Sequence, residues 1–480
     1  MDFLNILRLS LGLLGSILIS NSLYASLKTD KLILKDNMQI KYTKVPKSVD
    51  RLSDIFENGM FYLRFRTNNF YWAWKNKENN YASGIGGSLV YKTAPLNGIS
   101  ATVAGYTSQN PAWYRMDASD AGIVKAGKDT FSRYRLSTSG DYGISVLGQA
   151  YIQADIAKTT IKVGRFLHEG MFTKSNDTKM IPNTFDGISV VSKDIDKTKL
   201  SLTYIAKQKL RDHTTSHDVI AYDGWIQNDD SAVNKNLTVA RVGDDNRLII
   251  ASITNTSVKN LKATTAFMSV PDIVSNLAVE VGYNIKINDT LKVIPAFKYM
   301  KQFDNLNADY GVANLKAKQD GYTNPNSLDA YLVATKVDIK SGAFMGRIGY
   351  SYIGDKADII SPWRSQPTSG YTRAMGQYNW YAKTTTYLFR AGYDFDKADI
   401  LDGFSIMARY AIQDFDDKKA GVLSDNNILN IDMRQNIKDD LQLKIRLGFN
   451  KADSNTKDIN GDLKSDWSYN EYRVELNYFY

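Results

Sequence analysis

The sequence predicts an all-β protein, a transmembrane antiparallel β-barrel of about 18 strands. Eighteen segments alternate apolar residues with polar or small ones, which is typical of a strand that lies between two different environments. The connections between these segments are short on one side of the predicted sheet and long on the other. No interior apolar run is long enough for a transmembrane helix, and the mean hydropathy is -0.34, so a helical membrane protein is excluded.

The composition of the 480 residues excludes several classes of protein. Apolar residues make up 43% and aromatic residues 12%, with 30 Tyr, which excludes a disordered or collagen-like chain. The absence of Cys excludes disulfide scaffolds, thiol catalysis and Cys-based metal sites, and three His supply little for other metal or acid–base chemistry. The net charge of +9 comes from 60 basic and 51 acidic residues that are mixed along the chain. We therefore expect no cofactor, no metal and no nucleic-acid partner.

The N-terminal residues have the pattern of a secretory signal peptide. Arg8 precedes an apolar core at 9–19, and polar residues follow it. A short membrane anchor is the alternative, although this core is too short to span a bilayer comfortably. We expect a signal peptide at 1–25, a periplasmic lead-in at 26–58 and the barrel at 59–480. The lead-in is too short for the plug domain of an energy-coupled receptor, and simple disorder is its alternative.

The individual strands follow from the parity of the apolar residues. In the clearest segment Leu441, Leu443 and Ile445 alternate with Gln442 and Lys444. The predicted strands lie near 59–75, 81–93, 98–108, 144–156, 159–166, 184–193, 198–208, 247–254, 261–269, 276–287, 290–303, 327–339, 342–354, 382–395, 402–415, 427–437, 441–451 and 467–480.

The connections predict the topology of the barrel. Short turns at 157–158, 288–289 and 340–341 alternate with long polar loops. The long loops are 109–143, 209–246, 304–326 and 355–381. Because the strand number is even, both termini lie on the short-turn side, which we expect to be periplasmic, and the long loops face outward. A pair of soluble β-sandwiches alternates in the same way, but it would not sort long and short connections by side.

Several segments resemble the OprD-like family of outer membrane porins. Residues 163–166 (VGRF) and 176–187 (NDTKMIPNTFDG) resemble the GxQ…DxRxxPxxxxG segment of that family. Residues 53–64 and 83–94 are further matches, so the resemblance spans most of the chain after residue 50. The alternating, aromatic C-terminal strand resembles the closing signature of bacterial outer-membrane barrels, although it ends in Tyr480 rather than Phe.

The resemblance implies an eighteen-stranded barrel in the bacterial outer membrane, where it contacts lipid and lipopolysaccharide. It also implies that the third outer loop, 167–183 after the fifth strand, folds into the lumen as a constriction and that small solutes pass, among them carboxylates, amino acids and ions. The expected constriction residues are Arg165, His168, Asp177 and Lys179, with Asp177 and Lys179 reaching the solute and Asp177 orienting zwitterions. The family often has Gln and Arg where this chain has Arg165 and Lys179. The major outer-membrane porins of ε-proteobacteria are similar as well.

Parity also places the strand arginines. Phe344, Ile348 and Phe389 mark the lipid side, so residues of the opposite parity face the lumen. The inward arginines are Arg64, Arg66, Arg347, Arg390, Arg409, Arg434, Arg446 and Arg473. They lie on seven consecutive strands of a closed barrel at mid-membrane height, where an Arg on the lipid face would cost about 2–4 kcal/mol. We predict one basic wall that favours anionic or carboxylate-bearing solutes, with Asp432 and Glu475 as nearby partners.

Other candidate chemistry is weak. His213 and His217 have the spacing of a shared metal site only if they are helical, and a solvated loop is the favoured interpretation. Asp416 and Asp417 resemble part of a calcium loop but lack its Gly and Glu positions. A barrel lipase would need a Ser/His pair with an orienting acid, and His168 beside the constriction is better explained as a polar lining residue. We therefore expect no enzymatic activity.

Two functional classes remain. The first is a porin that passes small solutes by passive diffusion. The second is a surface adhesin or receptor that acts through its long loops. Conductance in a planar bilayer separates them, whereas the solute and the oligomeric state, monomer or trimer, stay open at the level of sequence.

Overall fold

Eighteen antiparallel strands form a closed barrel. The computed structural model describes residues 27–123, 125–222, 234–364, 366–376 and 378–480, and the expected signal peptide lies outside them. The barrel strands, numbered in chain order, are β1 Met60–Trp74, β2 Asn80–Lys92, β3 Ile99–Gln109, β4 Ile144–Ile156, β5 Thr159–Phe166, β6 Thr184–Ser192, β7 Thr198–Lys209, β8 Leu248–Asn255, β9 Leu261–Val270, β10 Val274–Tyr283 with its continuation Ile285–Lys286, β11 Leu291–Asp304, β12 Ala330–Ser341, β13 Phe344–Ile353, β14 Thr385–Asp394, β15 Phe404–Asp414, β16 Asn426–Lys438, β17 Leu441–Ala452 and β18 Tyr469–Phe479. The predicted fold class is confirmed.

Pairing between the last and first strands closes the sheet. Tyr472 of β18 lies opposite Tyr71 of β1, and Asn477 lies opposite Arg66. A closed sheet satisfies every backbone group without water, which is what a bilayer requires. The alternative of packed sandwiches is therefore wrong. The glycines in β2 allow close strand approach, since a Cβ on Gly87 would lie 1.8 Å from the backbone oxygen of Arg64.

The two faces of the barrel differ as the parity predicts. Apolar side chains cover the outside, and the accessible fraction is 61% for Phe61, 58% for Ile348 and 46% for Phe389. Polar side chains such as Asn68 and Gln302 are buried on the inside. Lipid rather than water contacts the outer face, so exposed apolar groups carry no hydration cost there.

Long loops leave one edge of the barrel and turn inward. Phe172 from 167–183, Ile220 from the loop after β7 and Trp363 from the loop after β13 share one buried cluster with strand residues. The four long loops all leave this edge, as predicted, and 355–381 then turns into the barrel, because Ile359, Ile360, Trp363 and Trp380 are buried. The outer connections after β1 and β9 are short. Which edge faces the cell exterior stays a prediction.

A short hairpin precedes the barrel. Leu32–Leu34 pairs with Ile40–Tyr42, and a helical turn, α1 Asp54–Glu57, leads into β1. The lead-in is thus folded rather than disordered. Within the described ranges no helix is long and apolar enough to cross a membrane.

Candidate functional site in the barrel lumen

Five arginines form a row across neighbouring strands. The arginine row consists of Arg347, Arg390, Arg409, Arg446 and Arg473. Arg390 lies directly opposite Arg347 on one side and Arg409 on the other, and Arg446 lies opposite Arg473. Like charges directly opposite each other destabilise a sheet, so folding alone does not account for this row.

Carboxylates on the same face partly neutralise the row. Asp338 accepts two hydrogen bonds from Arg347, at 2.5 and 2.9 Å. Asp432 accepts one from Arg409 at 2.8 Å and one from Arg446 at 2.9 Å. Each guanidinium has five N–H donors, so capacity remains. Among the described residues, Arg390 Nε and Arg409 Nε are buried and have no acceptor.

A cavity of about 330 Å³ separates the arginine row from the inward loops. Six further basic residues from the loops line it, namely Lys125, Lys128, Lys179, Arg211, Arg364 and Arg373. Asp129 is the single acidic residue among the described lining residues, and it pairs with Arg211 at 2.7 Å. Tyr378 and Trp380 add stacked aromatic faces, with ring centroids 4.5 Å apart. The site is therefore strongly positive, of a size for a small solute, and partly aromatic.

Asp177 ties the constriction loop to β1. Its Oδ2 accepts a hydrogen bond from Arg64 Nη1 and its Oδ1 accepts one from Arg66 Nη1, both at 2.8 Å. The accessible fractions of Asp177, Arg64 and Arg66 are 6%, 2% and 1%. The expectation that Asp177 reaches the solute is therefore wrong, because both oxygens are occupied. Arg64 and Arg66 anchor the loop and do not line the cavity.

The other expected site residues take different positions. Lys179 lines the cavity beside the arginine row, whereas Arg434 pairs with Asp36 of the N-terminal hairpin at 2.6 Å. Arg165 does not line the lumen, contrary to expectation. It lies on the same strand face as exposed Val163 and pairs with Asp186 at 2.7 Å.

A second cavity of about 400 Å³ lies beside β7 to β12. His168 lines it, and the imidazole is within hydrogen-bond distance of Thr173 Oγ1, at 2.7 Å, and Thr203 Oγ1, at 3.0 Å. The cavity is rich in lysines, namely Lys174, Lys199, Lys262, Lys298 and Lys336. These lysines were not predicted as lining residues, although the parity rule applied to β7, β9, β11 and β12 places all but Lys174 inward.

The loop after β13 separates the two cavities. Gln366, Ser369, Gly370 and Tyr371 line both of them. Lys298 Nζ on the barrel wall donates a hydrogen bond to the backbone oxygen of Pro367 at 2.9 Å, which holds this tip in place. The loop after β13 therefore narrows the lumen together with 167–183, and residues of the loops after β3 and β7 line the first cavity as well.

The weaker candidates make local contacts. His213 Nδ1 and His217 Nε2 are 2.7 Å apart, and burial lowers the pKa of His217 to about 4, so the pair is neutral at pH 7. Asp416 pairs with Lys383 at 3.0 Å and Lys419 at 3.2 Å, so ammonium groups occupy its carboxylate. In the part of the chain that the structure describes, no group of three or more His, Asp or Glu side chains is placed to hold a metal.

Comparisons with known proteins agree with this geometry. The family model for outer membrane porins of the OprD family matches residues 137–478. A comparison with curated protein sequences finds no match. Among solved structures, OpdK of Pseudomonas aeruginosa with vanillate is 14% identical, with a TM-score of 0.66 over 89% of this chain and 99% of that chain. OccAB2 of Acinetobacter baumannii is 17% identical, with a TM-score of 0.66 over the same shares.

A third similar structure is a BenF-like porin from Pseudomonas fluorescens Pf-5. It is 15% identical, with a TM-score of 0.66 over 88% of this chain and 99% of that chain. At such identities the likeness concerns the fold.

Proposed function

This chain belongs to the OprD family of outer membrane porins and is integral to the outer membrane, and on that premise we propose that its lumen favours small anionic, carboxylate-bearing solutes. The observation that carries the proposal is the arginine row facing a cavity with eleven basic lining residues and one acidic one among those described. A guanidinium binds a carboxylate through two parallel hydrogen bonds, and a narrow lumen strengthens the positive field.

Two further observations support the proposal. Arg390 and Arg409 line the cavity and 17% of each side chain is exposed, so part of each guanidinium is accessible to a solute oxygen. One similar structure is that of OpdK with vanillate, which is itself an aromatic carboxylate. Tyr378 and Trp380 would offer such a ring a stacking surface.

An adhesin or receptor is the alternative function. The loops that would have to act in adhesion bury much of their apolar surface inside the barrel, which favours the channel. Stepwise ion-conducting openings in a planar bilayer support a porin, and a sealed barrel supports the adhesin.

The reversal potential in a salt gradient tests the selectivity. We expect an anion-selective wild type, and a marked loss of that selectivity when Arg347, Arg390 and Arg409 are changed to Gln together, because three positive charges leave the wall. Changing the same three residues to Lys keeps the charge and should keep most of the selectivity. The charge-matched control is a variant that loses three positive charges outside the arginine row, through Arg51→Gln, Arg241→Gln and Arg247→Gln together. A cation-selective wild type, or an unchanged Gln variant, rejects the proposal.

A further inference from the structure

The N-terminal hairpin, residues 27–44, lies inside the short-turn mouth of the barrel. Its Leu27, Leu32, Leu34 and Met38 form a buried cluster with Phe479 of β18. Phe479 faces the lumen, since its neighbour Tyr478 is on the exposed outer face. The apolar side of the hairpin is thus seated on the inner wall.

Polar contacts join the hairpin to the wall of the barrel. Arg64 Nη1 donates a hydrogen bond to the backbone oxygen of Met38 at 3.1 Å. Tyr62 Oη donates one to the backbone oxygen of Lys44 at 2.7 Å, and the Tyr62 ring packs on Tyr42 with centroids 4.3 Å apart. These contacts place the hairpin against β1.

The tip of the hairpin also touches the constriction loop. Asn37 Nδ2 donates a hydrogen bond to Glu169 Oε2 at 2.9 Å. This hydrogen bond joins the hairpin in the short-turn mouth to the loop 167–183. A solute that passes this loop toward the short-turn side therefore meets the hairpin next.

Asp36 makes an ion pair of the kind that a solute would make. Its Oδ1 lies 2.6 Å from Arg434 Nη1, and 86% of its side chain is exposed to the open lumen. Arg434 lies opposite Lys444 on the inner wall. The charge of Arg434, supported by Lys444 and Arg390, holds the pKa of Asp36 below its usual value, so the carboxylate is ionised at pH 7.

We propose that the N-terminal hairpin is a built-in gate of the short-turn mouth, in which the Asp36 carboxylate competes with solute carboxylates for Arg434. Two short strands are barely stable by themselves, so the position of the hairpin depends on these wall contacts. The competition rests on the proposed function, whereas the gate does not.

Deletion tests the gate. We expect removal of residues 28–42 to raise the single-channel conductance by about twofold, because the hairpin lies within the mouth. Heat-modifiable gel mobility shows that the variant barrel is folded. An unchanged conductance in a folded variant overturns the gate.

A cross-link tests the gate without deleting anything. The chain has no Cys, so Asn37→Cys with Glu169→Cys creates a unique thiol pair. A short bifunctional thiol reagent with a cleavable disulfide should lower the conductance of this double variant, and reduction should restore it. The same reagent should not change the conductance of either single Cys variant. A conductance that ignores the cross-link contradicts the gate.

Asp36→Asn tests the competition. We expect stronger anion selectivity and a lower half-saturating concentration of benzoate as blocker of the chloride current, because Arg434 becomes available. Asp30→Asn, which removes an exposed acid from the same hairpin, should behave like wild type. Equal effects of the two variants reject the competition. A cation-selective wild type would reject the proposed function, while the conductances of the deletion and cross-linked variants would still decide the gate.

Discussion

The single residue Asp177 fixes the position of the constriction loop in the lumen. One carboxylate satisfies two buried guanidinium groups and so holds the constriction loop on β1. Removing one partner of a buried ion pair typically costs about 3–5 kcal/mol, because the remaining charge stays uncompensated in a low-dielectric site. Without the Asp177 carboxylate, Arg64 and Arg66 would both be buried charges without a carboxylate partner.

We therefore predict that Asp177→Asn loosens the constriction. The variant should have larger and noisier single-channel currents, and its folded form should resist heating in detergent less well than the wild type. Asp186→Asn serves as the matched control, because it breaks the pair with Arg165 on the outer face of the barrel. If the currents of Asp177→Asn match those of the control, the ion pairs of Asp177 do not determine the width of the constriction.

At the residue scale, parity predicts direction but not partners. It turns Arg64 and Arg434 toward the lumen because lipid cannot hydrate a charge. Their partners, Asp177 and Asp36, come from a loop and from the N-terminal hairpin. The path of those segments depends on packing inside the closed barrel, which no local pattern contains. The same limit explains why the role expected for Asp177 was wrong.

At the scale of elements, the strands were predictable, and the inward course of the loops other than 167–183 was not. Strand parity reflects two environments and can be read from the sequence. The inward fold of the constriction loop was predicted only from the resemblance to a family. The loop after β13 is long and polar overall, yet its Ile359, Ile360, Trp363 and Trp380 are buried inside the barrel, a course that was not predicted. Apolar residues in a long loop were the signal that could have found it.

We predict that the constriction loop 167–183 and the loop after β13 both limit the current. Deleting 170–180 should raise the single-channel conductance, and so should shortening the loop after β13 by removing 366–371, because that tip separates the two cavities. Removal of 457–462 from the outer connection between β17 and β18, where most residues are exposed, should leave the conductance unchanged. If neither inward deletion exceeds this control, the loops do not form the constriction.

At the scale of the whole molecule, closure of the barrel determines which charged side chains line the lumen. Closure turns one face of every strand into the lumen, where the arginines of β13 to β18 and the lysines of β7 to β12 line adjoining parts of the wall. The eighteen-strand barrel follows from strand number, alternation and the hydrogen-bonding demands of lipid. The volumes of the two cavities do not follow from these rules, since loop packing sets them.

The uptake of a carboxylate compared with its own amide tests the central claim most directly. Benzoate and benzamide are nearly equal in size, so uptake into proteoliposomes separates recognition of the carboxylate from simple sieving. We predict faster uptake of benzoate through the wild type, and a loss of that advantage when Arg347, Arg390 and Arg409 are changed to Gln together. Equal uptake of the two solutes through the wild type, or faster uptake of benzamide, would contradict the account.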